Sequence, residues 1–69
     1  MAANVRTNRT EIKKVWYALA DNSLRGEWAD SLLRILTTVM NGGSSEPVNL
    51  MLHPEELKVW HEYAAKALL

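Results

Sequence analysis

The sequence contains no cysteine, no phenylalanine and no apolar run that approaches the length of a membrane span. Without cysteine the chain cannot form a disulfide framework, a thiolate nucleophile, or a Cys-based zinc or iron–sulfur site. A membrane-spanning helix needs about 18 consecutive apolar residues, and the first residues also lack the apolar core of a signal peptide. We therefore expect a cytoplasmic protein without a membrane partner.

An excess of charge of one sign is also missing. Eight basic residues balance eight acidic ones, so the formal net charge is +0 at pH 7. This balance excludes the large positive field of a protein that binds nucleic acid through charge alone. The charge is unevenly placed, however, because residues 1–14 hold four basic residues against one acidic residue, whereas residues 46–69 hold two against four.

The chain has 69 residues, of which 48% are hydrophobic, and this length allows one domain. A protein of this size buries only about 60% of the surface that its unfolded chain exposes, so its core is thin. Residues 1–7 show no apolar period and are predicted to be a mobile N-terminal arm. Residues 8–69 are predicted to form a single small helical domain.

Helical periodicity predicts a first helix directly after the arm. Asn8 or Thr10 can cap it, and Glu11 stands in the capping-box position relative to Asn8. The apolar stripe follows at i, i+3, i+4 and i+7 and comprises Ile12, Val15, Trp16 and Leu19. A third helix is predicted from Pro54 to the end of the chain, because proline fits the first helical position.

The second predicted helix runs from about Leu24 to Asn41, with Gly42 as the left-handed residue beyond its end. It carries two adjacent apolar stripes, one of Trp28, Leu32, Ile35 and Val39 and one of Ala29, Leu33, Leu36 and Met40. A helix this apolar cannot face one partner only. The first helix can cover one stripe, so the other needs the C-terminal segment or a second copy of the chain.

A short strand is predicted between helices two and three, because Val48, Leu50 and Leu52 alternate with Asn49 and Met51. The alternative is an extended connector packed on the helices. A single strand leaves its backbone groups without partners, and pairing with the same strand of a second copy across a two-fold axis would satisfy them. The predicted fold is therefore mainly α: three helices with one short strand between helices two and three, assembled as a homodimer. The predicted dimer interface consists of Leu32, Leu33, Leu36, Val39, Met40, Val48, Leu50 and Leu52.

No group of residues in the sequence predicts catalysis, a metal site or a cofactor. His53 and His61 are too far apart to chelate one ion, since eight residues of helix span about 12 Å. The stretch that begins with His61 and Glu62 has Ala65 where the zincin motif needs its second histidine. We interpret His53 as a helix-capping residue and His61 as a partly exposed helix residue. The protein is predicted not to be an enzyme.

Binding through the protein surface remains as a function. Tyr17 lies off the apolar stripe of the first helix, while Val59 and Tyr63 lie at the edge of the third helix's apolar face. Aromatic side chains contribute strongly to interfaces, so the two tyrosines, together with the neighbouring Val59, form the predicted partner-binding set. The three tryptophans are assigned to the core: Trp16, Trp28 and Trp60. We predict a small non-catalytic regulator or inhibitor that occludes a surface on an unidentified protein, as many small phage or mobile-element proteins do.

The alternative function is that of a dimeric DNA-binding regulator that uses the basic arm and the shared strand. Residues 48–68 resemble the opening of a ribbon-helix-helix repressor, in which a strand pairs across a dimer and its outward residues read the major groove. Asn49 and Met51 stand at the outward positions, but no lysine or arginine does, and the family's second helix has no counterpart after Leu68. The resemblance covers one segment and is not a family assignment. The residues predicted to contact DNA are Arg6, Arg9, Lys13 and Asn49.

Overall fold

The computed structural model describes residues 2–43 and 46–69, and within them the chain is mostly helical. Its elements are β1 (Ala3–Thr7), α1 (Arg9–Asp21), α2 (Glu27–Gly42), β2 (Val48–Leu52) and α3 (Pro54–Ala67). The prediction of a mainly α fold with three helices is confirmed. No helix in the described ranges has both the length and the apolar character that crossing a membrane requires.

The two strands pair with each other in antiparallel orientation, from Ala3 opposite Leu52 to Thr7 opposite Val48. The prediction of a mobile arm is therefore wrong for residues 3–7, which form β1; Met1 lies outside the described residues. β1 contains a single large apolar residue, Val5, so the sequence pattern for a strand is weak there. A strand of this kind forms because its backbone pairs with a neighbour, not because of an intrinsic preference.

The strand and the apolar helix that predicted a homodimer both have packing partners within one chain. β2 finds its pairing partner in β1, where the sequence predicted a second copy. Five of the eight residues assigned to the dimer interface are buried in the core of the single chain: Leu32, Leu36, Val48, Leu50 and Leu52. The other three are partly buried and pack against the same core: Leu33, Val39 and Met40. The five buried residues therefore belong to the intramolecular core, while the dimer interface as a whole stays a prediction.

The core lies between the three helices and the inner face of the two-stranded sheet. The buried side chains of α1 are Ile12, Val15 and Leu19, and each is completely inaccessible to solvent. α2 packs against both α1 and α3, and α3 contributes Trp60 to the centre. α1 and α3 thus cover much of the two apolar stripes of α2, but Trp28, a member of one stripe, stays exposed.

The helix ends follow the local chemistry closely, with two shifts from the predicted positions. α1 is capped by Asn8, whose side-chain oxygen accepts the backbone N–H of Glu11 at 2.9 Å. α2 begins at Glu27, later than the predicted Leu24, because Gly26 is its N-cap. It ends at Gly42, and the left-handed residue is the following Gly43, with φ of 66°.

The tryptophans differ in their environments. Trp60 is buried and Trp16 is partly buried, with its indole N–H donating to the Thr37 hydroxyl at 2.8 Å. The assignment of Trp28 to the core is wrong, because its side chain is 41% exposed. It lies at the start of α2 and stacks on the ring of His53, with the ring centroids 4.4 Å apart.

A surface carboxylate on α2 gives the chain a small pH dependence of stability. Hydrogen bonds from Arg34 and Arg25 lower the pKa of Asp30 below its ordinary value of 3.8. A lowered folded-state pKa means that the stabilisation is present above pH 3.8 and is lost as the pH falls through the folded value. Asp30→Asn should therefore destabilise the protein slightly at neutral pH and change little in strong acid. Thermal unfolding of Asp30→Asn and of the control Glu27→Gln, at neutral pH and in strong acid, checks this. A loss of stability in Asp30→Asn that is as large in strong acid as at neutral pH would contradict it.

Candidate nucleic-acid interface

The two strands form a ribbon with one face on the helices and one face in solvent. Along β2, Val48, Leu50 and Leu52 are buried against the core. The alternate residues of both strands point outward and are exposed. We call the surface formed by their side chains the ribbon face; it consists of Asn4, Arg6, Asn49 and Met51.

The strand register brings these side chains together in pairs. Arg6 lies opposite Asn49, and Asn4 lies opposite Met51. Directly opposed side chains in an antiparallel pair have their Cβ atoms about 4.5–5.5 Å apart. The ribbon face is therefore one continuous patch that offers a guanidinium, two amides and a thioether, and none of its four residues carries a carboxylate.

The residues predicted to contact DNA are only partly brought together. Arg6 and Asn49 are neighbours on the ribbon face, and Lys13 is exposed on α1. Arg9, in contrast, is partly buried: its backbone N–H donates to Glu46 Oε1 at 2.9 Å and its Nη1 donates to the carbonyl of Met40 at 3.2 Å. Arg9 therefore joins the start of α1 to the end of α2 and to the connector before β2.

The end of the ribbon is fixed by His53, which follows β2 and caps α3. Its Nδ1 accepts the backbone N–H of Glu55 at 3.1 Å, and its ring stacks on Trp28. The prediction that His53 caps a helix is confirmed. The backbone direction of β2 is thus set by a cap on one helix and by an aromatic contact with another.

The buried carboxylate of Glu56 fixes the turn between β2 and α3 through hydrogen bonds. Glu56 is 6% exposed, and its Oε1 accepts the backbone N–H of His53 at 2.8 Å. Its Oε2 accepts the Ser31 hydroxyl at 2.5 Å, so both oxygens have partners. Through this residue the turn between β2 and α3 is attached to α2, which holds the ribbon against the helices.

The predicted protein-binding residues do not share one environment. Tyr17 is 58% exposed and lies edge-on to Trp16, with the ring centroids 5.3 Å apart. Val59 and Tyr63 are partly buried and pack against the core. The Tyr63 hydroxyl also accepts a hydrogen bond from Asn22 Nδ2 at 2.7 Å, which joins α3 to the end of α1. Tyr17 is therefore the most accessible member of this set.

Asn4 is the member of the ribbon face that sequence reasoning missed. It was included in the predicted arm, where no strand was expected. A signal was present, since Ala3, Val5 and Thr7 alternate with Asn4 and Arg6. The alternation covers five residues with one large apolar member, so it did not stand out from a polar terminal segment.

Neither metal chemistry nor similarity to known proteins assigns a function to this surface. Within residues 2–43 and 46–69, no group of three or more histidine, aspartate or glutamate side chains is placed to hold a metal ion. Compared with known proteins, the chain matches no family model, no curated protein and no solved structure. The geometry and chemistry of the chain itself are therefore the basis for inferring a function.

Proposed function

We propose that this protein is a non-catalytic regulator that binds duplex DNA by inserting the ribbon face into the major groove. The observation that carries the proposal is the position of Arg6 beside Asn49 on an exposed two-stranded ribbon. The major groove of B-DNA is wide enough for a two-stranded β-ribbon. Arginine pairs with the O6 and N7 atoms of guanine, and asparagine pairs with the N6 and N7 atoms of adenine.

The balanced charge of the chain suits a protein that depends on base contacts more than on phosphate contacts. Arg6 carries a positive charge on the ribbon face, and Lys13 and Lys14 are exposed on α1, the helix that follows β1. If Lys13 and Lys14 neutralise about two phosphates while Arg6 contacts a base, the logarithm of the binding constant should fall with the logarithm of the salt concentration with a slope of about −1.8. We therefore expect weak binding to arbitrary sequences and a moderate salt dependence.

The proposed DNA-binding unit is a single chain, because one chain supplies both strands of the ribbon. The homodimer predicted from the sequence stays a prediction, and its original arguments no longer support it. Light scattering over a dilution series tests it directly. A mass near 7.8 kDa at all concentrations would exclude the dimer, and a mass near twice that value would restore it.

Replacement of Arg6 tests the proposed function. Arg6→Ala should weaken binding to a fluorescently labelled mixed-sequence duplex containing guanine steps by about 1–3 kcal/mol, because the guanidinium is lost from the centre of the contact. Fluorescence anisotropy in low and moderate salt measures the change. The matched control is Lys66→Ala, which removes the same charge from the last turn of α3, whereas the ribbon adjoins the first turn. Equal losses in the two variants would contradict binding through the ribbon face.

A second candidate function is the occlusion of a surface on another protein, and the environment of Tyr17 favours it. Its exposed ring is held by Trp16, which is itself fixed by its hydrogen bond to Thr37. A shallow depression lies beside it, lined by Tyr17, Ala18, Ala20 and Asp21. A rigid exposed aromatic residue of this kind is typical of interface hot spots, since little conformational entropy is lost on binding.

Affinity capture with three baits separates the two functions. For protein occlusion, a partner retained by the wild-type chain should be lost with Tyr17→Ala and kept with Arg6→Ala, and its retention should respond little to salt. For DNA binding, Tyr17→Ala should bind duplex as the wild type does. A partner that is retained equally by all three baits would contradict the role of Tyr17.

A further inference from the structure

The chain contains two segments that follow the same plan of strand, cap and helix. In the first, the five residues of β1 lead to the cap Asn8 and then to α1; in the second, the five residues of β2 lead to the cap His53 and then to α3. In each segment the cap side chain accepts a backbone N–H from the first turn, and the third residue after the cap is glutamate. Each position in the first segment thus corresponds to the position 45 residues later, since 53 minus 8 is 45.

The pairing register makes this correspondence a symmetry of the ribbon. Val5 corresponds to Leu50, and these two residues are also partners in the strand register. An antiparallel pair in which equivalent residues oppose each other has a two-fold axis through that pair. An approximate two-fold axis therefore passes through the ribbon between Val5 and Leu50.

This axis relates the four side chains of the ribbon face in two different ways. Asn4 and Asn49 occupy equivalent positions and are identical, whereas Arg6 and Met51 occupy equivalent positions and differ. The two asparagines are diagonal neighbours across the strands, at roughly 7–8 Å. That separation corresponds to about two base-pair steps of about 3.4 Å each.

From this arrangement we infer that the ribbon face recognises a short, imperfect inverted repeat in duplex DNA. Each half of the site presents an adenine to one asparagine, and the halves differ where Arg6 faces a guanine and Met51 faces a thymine methyl group. DNA sites mirror the two-fold symmetry of the proteins that bind them, and these are the base contacts that the side chains favour. The inference rests on the proposed function and specifies its target.

Selection from a pool of duplexes with a randomised central segment tests the inference. The sequences recovered with the wild-type chain should share an adenine in each half and a guanine in one half. Asn4→Ala and Asn49→Ala should each weaken binding to the recovered site by about 5- to 150-fold and relax the preference at one adenine. Lys58→Ala, on the exposed side of α3, is the matched control and should keep both preferences.

A variant that makes the two halves of the ribbon face identical tests the symmetry more directly than the asparagine variants do. Met51→Arg places an arginine at both equivalent positions, so selection should now recover an inverted repeat with guanine in both halves. All the substituted side chains are exposed, and circular dichroism verifies that each variant is folded. A wild-type site without an inverted repeat, or an unchanged site for Met51→Arg, would overturn the symmetry inference while leaving DNA binding intact. Recovery of no duplex by the wild-type chain would overturn the proposed function as well.

Discussion

Leu36→Ala should lower the free energy of unfolding by about 2–5 kcal/mol, the range measured for such truncations in protein cores. Leu36 lies on α2 and is 0% exposed. At about 0.05–0.15 kcal/mol per residue, a chain of this size has a total stability of roughly 3–10 kcal/mol, so this loss would be a large fraction of the total. Urea titration followed by circular dichroism measures the change.

The chain offers a matched control for this experiment in Leu24→Ala. Leu24 is 91% exposed, so the same chemical change should alter the free energy of unfolding by less than about 0.5 kcal/mol. The titrations should be repeated at several protein concentrations. A midpoint that rises with concentration would mean that the folded chain self-associates, as the homodimer prediction requires.

Glu56→Ala should lower the free energy of unfolding by about 1.5–3 kcal/mol, because hydrogen bonds to a charged acceptor are lost in a buried position. The Ser31 hydroxyl and the backbone N–H of His53 would both lose their acceptor. Glu55→Ala is the control, since this neighbour forms an exposed ion pair with Lys58 at 3.2 Å that contributes less than about 1 kcal/mol.

The double variant Glu56→Ala with Ser31→Ala distinguishes two costs: the loss of the hydrogen bond between Ser31 and Glu56, and the Ser31 hydroxyl that Glu56→Ala leaves without an acceptor. Removing the serine hydroxyl as well should recover part of the loss, because no partly buried hydroxyl is then left without an acceptor. Chemical unfolding of the four proteins in this cycle gives the coupling between the two residues. Strictly additive effects would show that the contact between Ser31 and Glu56 does not contribute to stability.

The helices were predictable from the sequence because each has a strong local signal. α1 has a stripe at i, i+3, i+4 and i+7, and α3 has Pro54 at its first position with two acidic residues after it. β1 was not predictable in this way, since Ala3–Thr7 becomes a strand through a partner that lies far along the chain. Because β1 was not predicted, β2 had no pairing partner within the chain, and a second copy of the molecule was predicted to supply one.

The candidate site shows the same division between local and long-range information. The outward positions of Asn49 and Met51 follow from alternation along β2, and the basic character of Arg6 is visible in the sequence. Their arrangement as one face depends on the register between two strands, which is a tertiary property. An apolar stripe likewise shows that Leu36 must be covered, but not which element covers it.

The pairing of β1 with β2 also determines when the proposed DNA-reading surface comes into existence. The strands are separated in the chain by on the order of 40 residues, so their pairing closes a long loop and costs chain entropy. Ribosomes add about 5–20 residues per second, so β2 is synthesised some seconds after β1. A nascent chain that has reached residue 47 contains both α1 and α2 and still has no second strand. The surface proposed to read DNA is therefore a product of late synthesis, and only a chain that extends through β2 can form it.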